Sequence, residues 1–485
     1  MKKSLILLAL LASACPAFSQ LYNLTVQNGY AEINQALAGD TIHIWAEEWG
    51  AARTFNGWSG DTAFLERPGE WHTRIIMPAH DVTVKSNTRV LPTGANPYFS
   101  FEQIKGKNIL KPVYYYFPAA AAPKAVVWLW HGTGGSAKNW VWKDFEMVQY
   151  CKYLIANGLA VIVTESDEST LNTDLDGDGN LRYDYSPDSV DNYDVANVRA
   201  IRDTFIHRGK MSWETAQAAA GFSAGGAFSV TLASFLGWSA AITYNNPGSG
   251  YVQYTKTPVL FSMALRDMHP DVGPAGNQQA YDNYQYLLGK GQCAQFFMLR
   301  PSPTYAERFK RLPGVTTTQA YALHNELVAN GCFGLGSYLV KSPNEIENMV
   351  LNNPQNWPNI VALSDTLRGW VKDELAVMWS SHHFHHEYMA ADVKFILEQC
   401  AGIVATPEPG TEPAWQVFPN PAGEQIRLPE NAGRARVFDV QGQIVLDRRP
   451  AEAADLDVSG LPPGFYFLEI LQENAVRRTG RFVKI

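Results

Sequence analysis

The stretch "AQAAAGFSAGGAFSVTLASF", residues 216–235, sets a run of small apolar residues before a serine flanked by close glycines, then passes directly into helical periodicity. A serine can sit at a sharp strand-to-helix turn only if it accepts a strained positive φ and if the positions two residues either side carry no side chain to collide. Gly221 and Gly225 occupy those positions, and Gly226 adds clearance. The segment is therefore read as a strand over 216–222, Ser223 at the tip with its hydroxyl above a sheet, and a helix starting at Ala224. Alanine is a poor strand former, which argues against this reading, although a central strand packed between helices tolerates small residues because burial overrides propensity. A lone Gly-x-Ser-x-Gly is common by chance, and its surroundings have to decide the fold.

Upstream, "AVVWLWHGTGGSAKNW" (125–140) is an apolar run ending in a glycine-rich loop. Acyl transfer needs two preorganised N–H donors for the oxyanion, one after the nucleophile and one from a loop following an early strand. Ala224 and Thr133 are the natural donors. No Gly-Lys-Ser/Thr follows the loop, which excludes a phosphate cradle, and His131 reads as a brace for the loop. Downstream, "TPVLFSMALRDMHPDVG" (257–273) places Asp267 just past an apolar strand, with Asp271 as the nearby alternative. An Asp there also commonly caps backbone N–H groups. For the base, His269 is too close to Asp267 to fold back onto Ser223, which leaves His324 or the cluster "SSHHFHHEY" (380–388) before the amphipathic "MAADVKFILEQC". His382 is the first choice, His383 the next and His385 the third. Neighbouring imidazoles can also bind zinc, but no second group of well-spaced ligands accompanies them.

Taken in order, "HGTGG", "GFSAGG", Asp267 and His382 resemble the α/β-hydrolase superfamily over residues 96–402. Strand-like runs such as "KAVVWLWHG", "GLAVIVTES" and "PVLFSMALR" alternate with helical periodicity there, as in a mainly parallel sheet covered by helices. The "SAGG" elbow is similar to that of secreted polyester depolymerases and feruloyl-esterase-like enzymes. The resemblance implies that Ser223 attacks the acyl carbon, that His382 takes and returns the proton, that Asp267 holds the imidazolium, and that no redox or organic cofactor is required. Residues 303–380 break the strand-helix rhythm and read as an insertion near the C-terminal edge of the sheet, a lid or substrate wall.

A separate motif, "DLDGDGNLRYDY" (174–185), matches the first half of a calcium loop. Asp174, Asp176 and Asp178 stand at alternate positions, Gly179 at the turn and Asn180 where a carbonyl is given. Tyr185 replaces the closing acidic residue, so Asp184 or a distant carboxylate must complete the shell around a structural Ca2+. A solvated Asp/Gly loop is the competing reading.

The flanks differ from the middle. The chain has 485 residues and a net charge of -8, with no basic stripe for nucleic acid. Residues 1–19, "MKKSLILLALLASACPAFS", read as a signal peptide. Cys15 is not preceded by the leucine expected of a lipidation site. No later apolar stretch is long enough to span a membrane. Short alternating runs in 20–91 indicate a small all-β module. Its words "FNGWSGD" and "MPAHDVTVKS" resemble the internalin-type B-repeat, which implies a spacer or binding module, with Phe55 and Trp58 as core. A Pro-rich linker follows at 403–414. In 415–485 the order "PNP", Asp439-x-x-Gly442 and Leu461-x-x-Gly464-x-Tyr466 closely resembles the C-terminal sorting domain of the type IX secretion system. That resemblance implies export across an outer membrane by that machinery, with the tail removed afterwards. In an oxidising compartment Cys151, Cys293, Cys332 and Cys400 permit disulfides in three pairings, which the sequence leaves open.

The expected architecture is thus an α/β-hydrolase domain flanked by two small all-β domains. The expected function is an exported serine esterase, with polymeric or polysaccharide-linked esters among its candidate substrates. A serine peptidase with the same triad and an inert surface binding protein are the alternatives.

Overall fold

The computed structural model describes residues 20–47, 49–92, 99–119, 121–186, 190–401, 422–428, 432–439, 443–449, 455–472 and 477–484. The signal peptide, Cys15 and the 403–414 linker lie outside the described residues.

The middle of the chain is built on an eight-stranded sheet of β1 (Ser100–Lys105), β2 (Leu110–Tyr116), β3 (Val126–Trp130), β4 (Ala160–Val163), β5 (Gln217–Phe222), β6 (Ala240–Tyr244), β7 (Val259–Ala264) and β8 (Ala294–Leu299). Across the sheet they run β1-β2-β4-β3-β5-β6-β7-β8. β2 is antiparallel to both β1 and β4, and every other neighbouring pair is parallel. Strands β3 to β7 are apolar along almost their whole length because both faces are covered, as in a parallel sheet between helices. This is the α/β-hydrolase fold. The alanines of β5 now have a reason. Trp128 of β3 stands beside Ala219 in register, and its indole stacks on Trp130 at 6.0 Å and Trp238 at 5.6 Å, so the central strand is small where its neighbour is large. Trp128 Nε1 donates to Gln217 Oε1 at 3.1 Å, which satisfies its buried N–H.

The main helices are α1 (Phe145–Ala156), α2 (Tyr193–His207), α3 (Ala224–Leu236), α4 (Gly273–Gly289), α5 (Thr317–Ala329), α6 (Asp365–Trp379) and α7 (Met389–Glu398). Between β8 and the loop before α7, the helical excursion over 303–380 has its own core, in which Phe309, Leu323, Trp357 and Leu375 pack with Phe145 of α1. This segment meets α1, the N-terminal module and the chain just past β7: the Arg311 guanidinium lies 3.6 Å over Trp71, Tyr305 stacks on Trp45 at 4.6 Å, and Trp379 lies 4.0 Å from the Arg266 guanidinium.

The N-terminal module contains a four-stranded and a three-stranded sheet, and Phe55 and Trp58 are buried in it. It is not a spacer. Its sheets are too small to bury their own indoles, so Trp49, Phe55 and Trp71 join Tyr150, Leu154 and Phe384 in one continuous core. The C-terminal module has a separate core of Ile426, Val437, Leu468, Ile470 and Phe482. Of the four cysteines, Cys293 and Cys400 form a disulfide that ties the entry to β8 to the end of α7. Cys151 and Cys332 are free, and burial raises both thiol pKa values, that of Cys332 to about 11.

Candidate active site

Ser223 follows β5 with φ 54° and ψ −121°, and α3 starts at the next residue. The geometry explains each glycine. A Cβ on Gly221 would stand 2.2 Å from the Gly225 carbonyl oxygen, and one on Gly225 would stand 2.4 Å from the Trp130 carbonyl oxygen. The first turn of α3 is therefore pressed directly onto the ends of β5 and β3. Such strain persists only where the surroundings over-determine it, and here the Ser223 N–H donates to the Tyr244 carbonyl of β6 at 2.8 Å.

Asp267 lies past the end of β7, fully buried. Its Oδ1 accepts the His269 N–H at 2.9 Å, which leaves Oδ2 to face His382 Nδ1 at 2.6 Å. The other ring nitrogen, His382 Nε2, is 3.0 Å from Ser223 Oγ. The structure thus brings Ser223, His382 and Asp267 into one chain of hydrogen bonds above the C-terminal edge of the sheet. The His269 ring stacks on His382 at 4.4 Å and shields one face. Asp271 stays outside, its side chain 84% exposed.

The remaining histidines have other partners. His324 packs on Phe333 and lies 3.1 Å from the Thr304 carbonyl. His383 points to Asp144 and Asp373. His385 is buried against Ser262 Oγ at 3.2 Å, and desolvation lowers its pKa to about 3. His386 lies between Glu146 and Arg311 and stacks on Trp71. His131 bridges two loops: its Nδ1 donates to the Gly132 carbonyl at 2.7 Å and its Nε2 accepts the Ser166 N–H at 3.1 Å. Burial lowers its pKa to about 4, which suits the neutral ring this pattern requires.

In the glycine-rich loop, the Gly134 N–H goes to Leu181 and the Gly135 N–H to Gly132. Among the described residues no acceptor is recorded for the N–H of Thr133 or of Ala224. A Cβ on Gly132 would lie 3.2 Å from Ser223 Cβ, so this loop runs alongside the nucleophile.

Sequence reasoning missed the residues that hold the histidine loop. Asn245 has φ 47° and its Nδ2 donates to the His383 carbonyl at 2.8 Å. Ser380 has φ 64°, and its Oγ donates to Leu299 at 2.7 Å while accepting the Leu265 N–H at 2.8 Å. All three bonds depend on left-handed backbone positions, for which Asn is enriched and Ser is not; only Asn245 carries any signal in the sequence.

In the acidic loop, ligand atoms of Asp174 and Asp176 group with Glu168 within 4.8 Å. Glu168 was not singled out from the sequence. Asp178 is not in that group, being paired with Arg182, and Asn180 instead donates its N–H to Asp178 Oδ1 at 2.7 Å. Asp184 accepts the Ser186 and Tyr193 N–H groups and does not close the loop.

The class of the middle domain follows from its strand order and elbow: it is an α/β-hydrolase domain. Residues 416–484 match the secretion system C-terminal sorting domain family. The chain is thereby marked for type IX export to the cell surface or beyond, and among the described residues no helix is long and apolar enough to cross a membrane. No curated protein matches the chain. Among solved structures, similarity extends to an α/β serine hydrolase without lid from Xanthomonas campestris, at 16% identity and TM-score 0.28, over 42% of this chain and 84% of that one. A serine hydrolase homologue from Coxiella burnetii shows 16% identity and TM-score 0.30, over 48% and 97%. The esterase Est22 shows 14% identity and TM-score 0.29, over 42% and 73%. The fold assignment rests on the strand order, not on these likenesses.

Proposed function

We propose that the chain is an exported serine hydrolase that cleaves carboxylic esters through an acyl-enzyme on Ser223. The observation that carries the reading is the Ser223 Oγ to His382 Nε2 to Asp267 Oδ2 series, at 3.0 and 2.6 Å, on a strained elbow. His382, with Nδ1–H held by Asp267, presents a bare Nε2 to the hydroxyl. It takes the proton as Oγ attacks the acyl carbon, and Asp267 stabilises the imidazolium. The oxyanion is received by the N–H groups of Ala224 and Thr133, which have no other acceptor among the described residues. Collapse expels the alcohol, protonated by His382, and water activated by the same base releases the acid.

The test is intact mass after a fluorophosphonate probe, on wild type and Ser223→Ala. One adduct, lost in the variant, is expected; folded wild type without an adduct would favour the inert binding protein. Chromogenic short-chain esters and peptide anilides then separate esterase from peptidase: turnover of anilides alone would overturn the ester reading. We further propose that Asp174 and Asp176, with Glu168 in place of the more distal ligands, hold a structural Ca2+. Chelation should then lower the melting temperature, and an unchanged transition would defeat the idea.

A further inference from the structure

His383, next to the candidate base, faces away from Ser223 into a second cluster. Its Nε2 lies 3.4 Å from Asp144 Oδ2 and 3.6 Å from Asp373 Oδ1. Both distances exceed a good hydrogen bond, and among the described residues this buried nitrogen has no hydrogen-bond partner. Asp144 Oδ1 accepts the Met147 N–H at 3.1 Å as the N-cap of α1, which leaves Oδ2 to face the imidazole, and Asp373 stands on α6 with Oδ1 towards it. Among the described residues His383 is the ion-pair partner of both, and no Lys or Arg lies within ion-pair reach of either.

Ligands at about 2.0–2.2 Å around a tetrahedral ion stand about 3.3–3.6 Å from one another. The two imidazole–carboxylate separations match that spacing, and the ligand atoms of all three residues lie within 4.8 Å. One imidazole and two carboxylate oxygens suit Zn2+, whereas the oxygen-only loop at Asp174 suits Ca2+. We propose that Asp144, Asp373 and His383 form a Zn2+ site, with solvent as fourth ligand, that pins the histidine loop to α1 and α6. The site is structural: it takes no part in acyl transfer, and its test does not depend on the esterase reading.

The experiment uses the tag-free full chain, stripped with chelator and dialysed against micromolar Zn2+ or Co2+. Expected are one equivalent of Zn2+ by elemental analysis, the visible bands of tetrahedral Co2+, and a higher melting temperature with Zn2+. His383→Gln and Asp373→Asn, which keep the size of each side chain, should each weaken binding by more than the roughly 10- to 100-fold lost with an outer-shell partner. Metal-free wild type under these conditions overturns the proposal. So does binding undiminished in both variants, which would place the metal elsewhere, for instance at His43 and His72, whose ring nitrogens are 3.0 Å apart.

Discussion

The two β modules at the ends of the chain are alike in size and strand content, yet they are joined to the hydrolase domain by different physics. The N-terminal one is fused through its core. Trp71 is fully buried between the His386 ring, stacked at 5.5 Å, and the Arg311 guanidinium. Glu70 accepts the N–H groups of Ala390 and Ala391 at the start of α7, and His72 Nδ1 meets Glu387 Oε2 at 2.9 Å. Glu387 also receives Arg308 at 2.8 Å. The histidine loop is thus held from outside by the N-terminal module. The C-terminal module keeps its core to itself, and its ion pairs to the N-terminal module include Arg434 and Arg449 to Asp40, at 2.6 and 2.7 Å. A module that shares a core is part of the same folded body; one with a core of its own, joined by ion pairs, can fold apart from it.

Truncation should expose that difference most. Removing residues 20–91 would uncover Tyr150, Phe384 and their neighbours, and is expected to abolish soluble, active protein, since apolar surface of that extent drives association. Removing 416–485 should leave the melting temperature of the hydrolase domain and its probe labelling unchanged. Equal tolerance of both truncations would break the comparison. One step smaller, Trp71→Ala should cost about 3–5 kcal/mol, as for other buried aromatic truncations, measured by denaturant unfolding.

A pH series sharpens the contrast further. Burial raises the Glu70 carboxyl to about 7, whereas Arg434 and Arg436 hold Asp447 of the C-terminal module below its usual range. A raised carboxyl gives stability that is complete below the unfolded value near 4.5 and is lost as pH rises through about 7. Stability relative to Glu70→Gln should therefore fall by about 2–3 kcal/mol between those limits. Asp447 acts in the opposite sense, since its contribution is present above its unfolded value and lost as pH falls through the lower folded one. Thermal scans from pH 3 to 8 on wild type, Glu70→Gln and Asp447→Asn check both signs.

This contrast was only half legible in the sequence. The strand-to-helix glycines, the Asp past β7 and the sorting motifs are local patterns, and local patterns survive in one dimension. The placement of His382 needed only chain order and the apolar helix after it. What linear order conceals is which surfaces meet. "FNGWSGD" reads the same whether its tryptophan faces a private core or a neighbouring domain. Glu168, Asn245 and Ser380 act through partners 7 to 138 residues away, on bonds that depend on backbone angles rather than residue pattern. The helical segment over 303–380 broke the strand rhythm visibly, but its attachment to α1 through Arg308, Arg311, Glu146 and Glu374 rests on charges scattered over the chain.

The smallest effect tests the other side of the comparison. The Arg434 and Arg449 side chains are 23% and 42% exposed, so water and salt screen their attraction to Asp40. Asp40 also keeps a local role without them, since its Oδ2 accepts the Leu37 N–H at 3.0 Å. Arg434→Ala with Arg449→Ala should consequently cost less than about 1 kcal/mol and shift the melting temperature of the hydrolase domain by no more than about 2 °C. Ester turnover should stay at the wild-type level, and the small loss should vanish in high salt. A large destabilisation would mean that the C-terminal module bears on the N-terminal sheets through more than charge.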